Sequence, residues 1–141
     1  MNRVLIDTNV LIRLLYKTLD SDTEYLVRDY STQVYISSTS VMEFINLIQS
    51  GRIKTNLIKT KSVFDLIENE FYITILYVTR QHLEELENLP SVPNHNDPND
   101  RMIIAQAISN RLELVSSDTK FVHYKKYGLQ LVKAEYQGGK K

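Results

Sequence analysis

The chain has 141 residues, 43% hydrophobic and 24% charged, a balance that suits one globular domain and excludes disordered and collagen-like classes. Seventeen basic residues offset seventeen acidic ones, so overall charge favours neither a nucleic acid nor an acidic partner. Cysteine is absent, which excludes a disulfide framework and a thiolate metal site and leaves oxygen and imidazole as metal donors.

Valine- and isoleucine-rich runs alternate with segments of helical periodicity, the rhythm of a parallel α/β sheet. The opening MNRVLIDTNVLI is interrupted by Asp7 and lacks a small-residue cleavage site, so it does not read as a signal peptide. No run reaches the ~20 apolar residues of a membrane span; a cytoplasmic protein with no membrane contact is expected. Arg3–Ile6 reads as a first strand and Asn9–Tyr16 as a helix, with Asp7 between them. A helix over Asp22–Tyr30, a strand over Val34–Ser37 and a helix over Val41–Gln49 follow. Lys61–Glu70 reads as helix, Tyr72–Val78 as the third strand, and Arg80–Asn88 as a helix on which His82, Glu84, Glu85 and Glu87 mark a solvated face. All three prolines, with Asn94, Asn96 and Asn99, fall between Pro90 and Asn99, which predicts a loop leading into a helix over Pro98–Asn110. Leu114–Ser116 is the fourth strand, Thr119–His123 a short turn and Gln130–Lys133 an edge strand. One domain over residues 1–136 and a frayed tail over 137–141 are expected.

Four acids stand out along this order: Asp7, Glu43, Asp100 and Asp118. Singly, each has an ordinary explanation at a helix start. Asp7 and Asp118 suit N-caps, Ser40 with Glu43 suits a capping box, and Asp97, Pro98 and Asp100 suit a cap, a first helical proline and a first-turn acid. Capping does not explain their shared placement. Asp7, Glu43 and Asp118 each follow a predicted strand at its carboxyl end, the edge where open α/β sheets bind ligands at a reversal of strand order. Asp100 is expected to face that crevice while Asp97 caps its helix. Carboxylates gathered there repel one another, and a divalent cation is the simplest compensation. Oxygen donors point to Mg2+ or Mn2+, as one ion or two, and such a centre suits phosphodiester hydrolysis.

Two basic stretches offer contacts to phosphate: Arg52, Lys54, Lys59 and Lys61, and then Lys120, Lys125, Lys126, Lys133, Lys140 and Lys141. His82, His95 and His123 read as structural or surface residues rather than ligands, and Tyr124 and Tyr127 as packing rather than base-stacking groups.

Four segments, VLIDTNVLI around Asp7, YISSTSVMEF around Glu43, HNDPNDRMIIAQA around Asp100 and LELVSSDTKF around Asp118, together resemble the PIN-domain nucleases. Within that family they resemble the VapC toxins of bacterial toxin–antitoxin pairs. The resemblance runs from Val4 to Phe121 and implies a PIN-like three-layer α/β sandwich, with a central, mainly parallel sheet flanked by helices. It also implies a Mg2+- or Mn2+-dependent endoribonuclease that acts on RNA, forms a homodimer and has a cognate antitoxin occupying its active site. By position it implies that Asp7, Glu43, Asp100 and Asp118 are the catalytic, metal-binding acids, supported by Asn9 and Ser116. Asp97 and Arg101 belong to the subgroup pattern NDPNDR, in which Arg101 would meet substrate phosphate or pair with a neighbouring acid. The alternative is a noncatalytic PIN-like module that grips RNA or protein, against which the intact set of acids argues. A phosphatase or nucleotide-binding domain fares worse, since four glycines build no phosphate-cradling loop and DTN lacks the second aspartate of a covalent phosphatase.

Overall fold

A computed structural model describes residues 2–54 and 62–135. The chain enters through β1 (Arg3–Ile6), whose alternating side chains divide the interior: Val4 and Ile6 enter one apolar cluster and Leu5 the other. Then come α1 (Thr8–Tyr16), α2 (Ser21–Arg28), β2 (Gln33–Ser37) and α3 (Ser38–Gln49). A π-helical segment (Asp65–Glu70) leads to β3 (Thr74–Leu76), α4 (Arg80–Asn88), α5 (Pro98–Asn110) and β4 (Glu113–Ser116). A 3-10 segment (Thr119–Tyr127) and β5 (Gln130–Lys133) complete the order.

The five strands form one sheet in the order β3-β2-β1-β4-β5, and every neighbouring pair is parallel. The mainly parallel sheet that was expected is thus wholly parallel among the described residues. Right-handed crossovers then dictate the layers. The steps β1 to β2 to β3 move one way along the sheet, and the return to β4 and β5 moves the other way, so their connecting helices cover opposite faces. The buried residues agree: Val10, Leu11 and Leu14 of α1 and Phe44 of α3 join Val4 and Ile6. Ile103, Ile104 and Ala107 of α5, with Phe121 and Tyr124, join Leu5 and Leu114. This is a three-layer α/β sandwich.

Several boundaries differ from the sequence expectation for identifiable reasons. The helix expected over Lys61–Glu70 begins outside the described residues and closes as a π-turn, in which the Phe71 N–H donates to the Leu66 carbonyl at 3.0 Å. The third strand, expected from Tyr72 to Val78, shrinks to three residues. Tyr72 has φ +55°, the Ile73 N–H is taken by the Ile67 carbonyl at 2.8 Å, and the Val78 N–H donates to Ser38 Oγ at 3.1 Å. The turn expected over Thr119–His123 runs on to Tyr127 and stops at Gly128, whose φ of +105° suits a residue without a side chain. The helices expected from Asn9, Asp22 and Val41 begin at Thr8, Ser21 and Ser38, because Asp7, Asp20 and Ser37 supply the caps. His82 does not lie on a solvated face. It is 3% exposed; its Nδ1 accepts the Thr79 N–H at 3.1 Å, and its Nε2 lies 2.6 Å from Asn110 Oδ1. The tail at 137–141 falls outside the described residues.

Phe44 has no exposed surface and joins α3 to the sheet. Truncating it removes a large buried ring and leaves a cavity, so Phe44→Ala should lower the free energy of urea unfolding by about 3–5 kcal/mol. Met42→Ala, on the exposed side of the same helix, should change it by less than about 1 kcal/mol.

Candidate active site

β1 is where the strand order reverses, since β2 and β3 are added on one side of it and β4 and β5 on the other. Asp7 follows β1 directly, and its N–H donates to the Val115 carbonyl of β4 at 3.4 Å. Its carboxylate caps α1, accepting the Val10 N–H at 2.9 Å, and is hydrogen-bonded to Ser116. Asp118 lies two residues beyond β4; its N–H donates to Ser116 Oγ at 3.0 Å, and its carboxylate accepts the Lys120 N–H at 2.9 Å. Ser116, 1% exposed, thereby links the two aspartates. Both acids are caps, as expected, and both stand at the carboxyl edge of the sheet.

Asp100 enters from the first turn of α5. Asp97 caps that helix, accepting the N–H groups of Asn99 at 2.8 Å and Asp100 at 3.3 Å, so the expected division of labour between the two aspartates is what the structure has. Glu43 reaches the same place from α3 and accepts the hydroxyl of Thr8. Asp7, Glu43, Asp100 and Asp118 all line one crevice of about 210 Å3, with Thr8, Asn9 and Asp97 on its walls. A larger groove of about 690 Å3 lies by the start of β2, between Arg28, Tyr30 and Tyr72. It gathers none of these four acids, so the smaller crevice is the candidate site.

The structure corrects one of the local readings and adds detail to two others. Glu43 forms no capping box with Ser40, because α3 is capped by Ser37, whose hydroxyl accepts the Thr39 N–H at 3.1 Å. That places Glu43 well inside the helix, with its carboxylate bound to Thr8. Arg101 pairs with no acid among the described residues: Nη2 donates to the Leu89 carbonyl at 2.9 Å and Nη1 to the Pro90 carbonyl at 3.1 Å. It fastens the loop before α5. Asn9 is exposed on the crevice wall.

His95 is the residue that sequence reasoning set aside and the structure brings in. It is 4% exposed, and its Nε2 lies 3.6 Å from Asp100 Oδ2. One ligand atom from each of His95, Asp100 and Asp118 falls within 4.8 Å of the others. The available signal was HNDPND itself, which puts an imidazole five residues before Asp100. Tyr124 is fully buried, which bears out packing for that residue.

The charge distribution gives the crevice its chemistry. Burial, reinforced by the charges of Asp118 and Glu43, lifts the Asp7 carboxyl to about 6 against the bonds from Ser116 and Val10. Burial and the charges of Asp97, Asp118, Asp7 and Glu43 push Asp100 to about 7. Burial also pushes His95 below the ordinary imidazole value, which favours the neutral ring. Carboxylates gathered so closely that Asp7 and Asp100 hold their protons more tightly are matched by a hard divalent cation, and Asp7, Asp100, Asp118 and Glu43 are the residues that could hold it.

The PIN domain family matches the chain over residues 4–127. No curated protein sequence gives a significant match. Among solved structures, the chain is similar to a chain of VapBC2 from Rickettsia felis bound to a promoter DNA fragment, with TM-score 0.67 and 18% identity over 94% of this chain and 99% of the other. It is similar to VapBC-1 of nontypeable Haemophilus influenzae, with TM-score 0.65 and 17% identity over 93% and 97% of the two chains. DNA-bound VapBC of Salmonella typhimurium gives TM-score 0.62 and 19% identity over 94% and 98%. At such identities these likenesses establish a shared fold.

The raised carboxyl of Asp7 makes stability depend on pH in a definite direction. Between the unfolded value of 3.8 and the folded value of about 6, the folded chain keeps a proton that the unfolded chain loses. Stability therefore falls as pH rises through that window, and the full cost is present above it. In EDTA, Asp7→Asn should raise the unfolding free energy at pH 7.5 by roughly 2–3 kcal/mol and change it little near pH 4. Urea titrations at the two pH values measure this, and an equal loss of stability at both would contradict it.

Proposed function

The chain belongs to the PIN-domain family, and from that premise we propose that it is a metal-dependent endoribonuclease that hydrolyses RNA phosphodiester bonds as the toxin of a toxin–antitoxin pair. The observation that carries this reading is the convergence of Asp7, Glu43, Asp100 and Asp118, from four separate segments, on one crevice at the strand-order reversal. In this reading Asp7, Asp100 and Asp118 hold Mg2+ or Mn2+, and Glu43 completes the set. When bound, such a cation supplies positive charge and polarisation to a phosphodiester during its hydrolysis.

The protein's own part is placement. Ser116 holds Asp7 and Asp118 in a fixed relation, and Thr8 holds Glu43 toward them. Asp97 fixes the first turn of α5, so Asp100 stays directed at the crevice. Arg101 keeps the preceding loop closed on the helix through two carbonyls, a positioning role. The exposed Lys120, two residues after the Asp118 cap, is the nearest member of the basic stretch in sequence and would draw an RNA backbone toward the acids.

The neighbours reported as VapBC assemblies support an antitoxin partner for this chain. That partner would cover the crevice with a segment of its own, while two copies of the toxin associate as a homodimer in the cytoplasm. The acids support catalysis over the noncatalytic module, because the charged carboxylates of Asp7 and Asp100, whose proton affinities are raised, cost folding free energy that mere gripping of RNA would not require.

Purified protein incubated with end-labelled RNA should cleave it in Mg2+ or Mn2+ and stop in excess EDTA. Asp7→Asn and Asp100→Asn should each lower the cleavage rate by at least about a hundredfold. RNA retained without cleavage across many substrates would instead select the binding module.

A further inference from the structure

We propose that His95 donates Nε2 to the divalent cation held by Asp100 and Asp118, so that the site favours a transition ion, Mn2+ foremost, over Mg2+; this rests on the metal-dependent reading above. Buried histidines are normally satisfied at both nitrogens, and His82 shows this, with Nδ1 on the Thr79 N–H and Nε2 on Asn110. His95 is buried to the same degree and differs. Its Nδ1 lies 2.8 Å from the Tyr124 hydroxyl, but its Nε2 has no hydrogen-bond partner among the described residues. Leaving such an atom unsatisfied costs on the order of 1–3 kcal/mol.

The direction of that free nitrogen decides what it is for. It faces Asp100 Oδ2 at 3.6 Å, too far for a hydrogen bond, with an Asp118 oxygen within 4.8 Å. Adjacent donors around a cation bonded at ~2.1 Å stand roughly 3 Å apart and opposite ones roughly 4.2 Å, so the His95–Asp100 pair, at 3.6 Å, needs to close by roughly 0.6 Å to share an ion, and the Asp118 carboxylate, within 4.8 Å, by a side-chain adjustment of up to about 2 Å. The Tyr124 hydroxyl can accept a proton held on Nδ1, which leaves the lone pair on Nε2. A lone pair aimed at two carboxylates is repulsive unless a cation lies between them. A hydrogen-bonded second nitrogen is also what fixes the ring orientation of a metal-bound histidine.

The ring is held in place before any ion arrives. Phe121 and Tyr124 pack edge-on against it, with centroids 5.4 and 5.2 Å away. The Tyr124 hydroxyl is itself approached by Arg101 Nη1 at 3.4 Å. An all-oxygen site discriminates weakly between Mg2+ and Mn2+, whereas one imidazole shifts preference toward the transition ion.

The test uses the full chain, stripped with EDTA and loaded with one equivalent of Mn2+. Pulsed electron paramagnetic resonance should show a 14N coupling in the wild type that converts to a 15N pattern after histidine labelling and disappears in His95→Phe. By calorimetry, His95→Phe should weaken Mn2+ binding about tenfold or more and Mg2+ binding less than about threefold. If the wild type binds Mn2+ in an Asp100-dependent manner without any nitrogen coupling, the proposal is overturned and the carboxylate centre stands. If the wild type binds neither ion stoichiometrically, both readings are overturned. The wild-type spectra decide the matter even where the substituted chain fails to fold.

Discussion

A carboxylate buried at the end of the central strand is the constraint on which the rest of this structure depends. Asp7 is 8% exposed, between the ends of two flanking strands and under the start of α1. Its charge is tolerable only because the amide of Val10 and the side chain of Ser116 point at it, and because the positive end of the α1 dipole lies above it. Those three favourable contacts fall short of the desolvation, as the raised proton affinity shows. The fold thus keeps a destabilising group where an apolar residue would pack better. Such a violation of local consistency is what a ligand-binding site requires of its scaffold.

The parallel register makes the violation collective. Because Ile6 pairs with Val115, the residues just past β1 and β4 emerge side by side, and Ser116 can serve both aspartates. Reversal of strand order opens the crevice there, and the helices above it contribute Glu43 and Asp100 from opposite layers. The neighbouring acids add to the raised proton affinity of Asp7 and Asp100, which sharpens the match to a divalent cation.

Much of this was legible in the sequence because it rests on local signals. Strands buried on both faces read as continuous apolar runs, and Asp97 followed by Pro98 spells out the start of α5. Glu43 was placed in the right crevice with the wrong local partner. The stretch Ser37, Ser38, Thr39, Ser40 offers four acceptable caps, and only the end of β2, at Ser37, decides among them. His82 was misplaced, and the partners of Arg101 and His95 went unforeseen, for another reason. Their partners are 11 to 29 residues away in sequence, at Asn110, Pro90 and Tyr124, and spacing along the chain carries no signal for such pairs.

Those distant pairs explain how a loop with two prolines and little regular structure can belong to a precise site. The segment from Leu89 to Asp97 is held at its start by Arg101 of α5, across its middle by a bridge between Val92 and His95, and at its end by the Asp97 cap. Tyr124, from the 3-10 segment that Asp118 begins, meets both Arg101 and His95. The elements that present Asp100 and Asp118 are therefore the same ones that clamp the loop, so a shift of either carboxylate must strain the loop and its histidine together. Rigidity at this edge comes from side chains of α5 and the 3-10 segment rather than from sheet hydrogen bonds. That is why the loop can supply a wall of the crevice without being a strand.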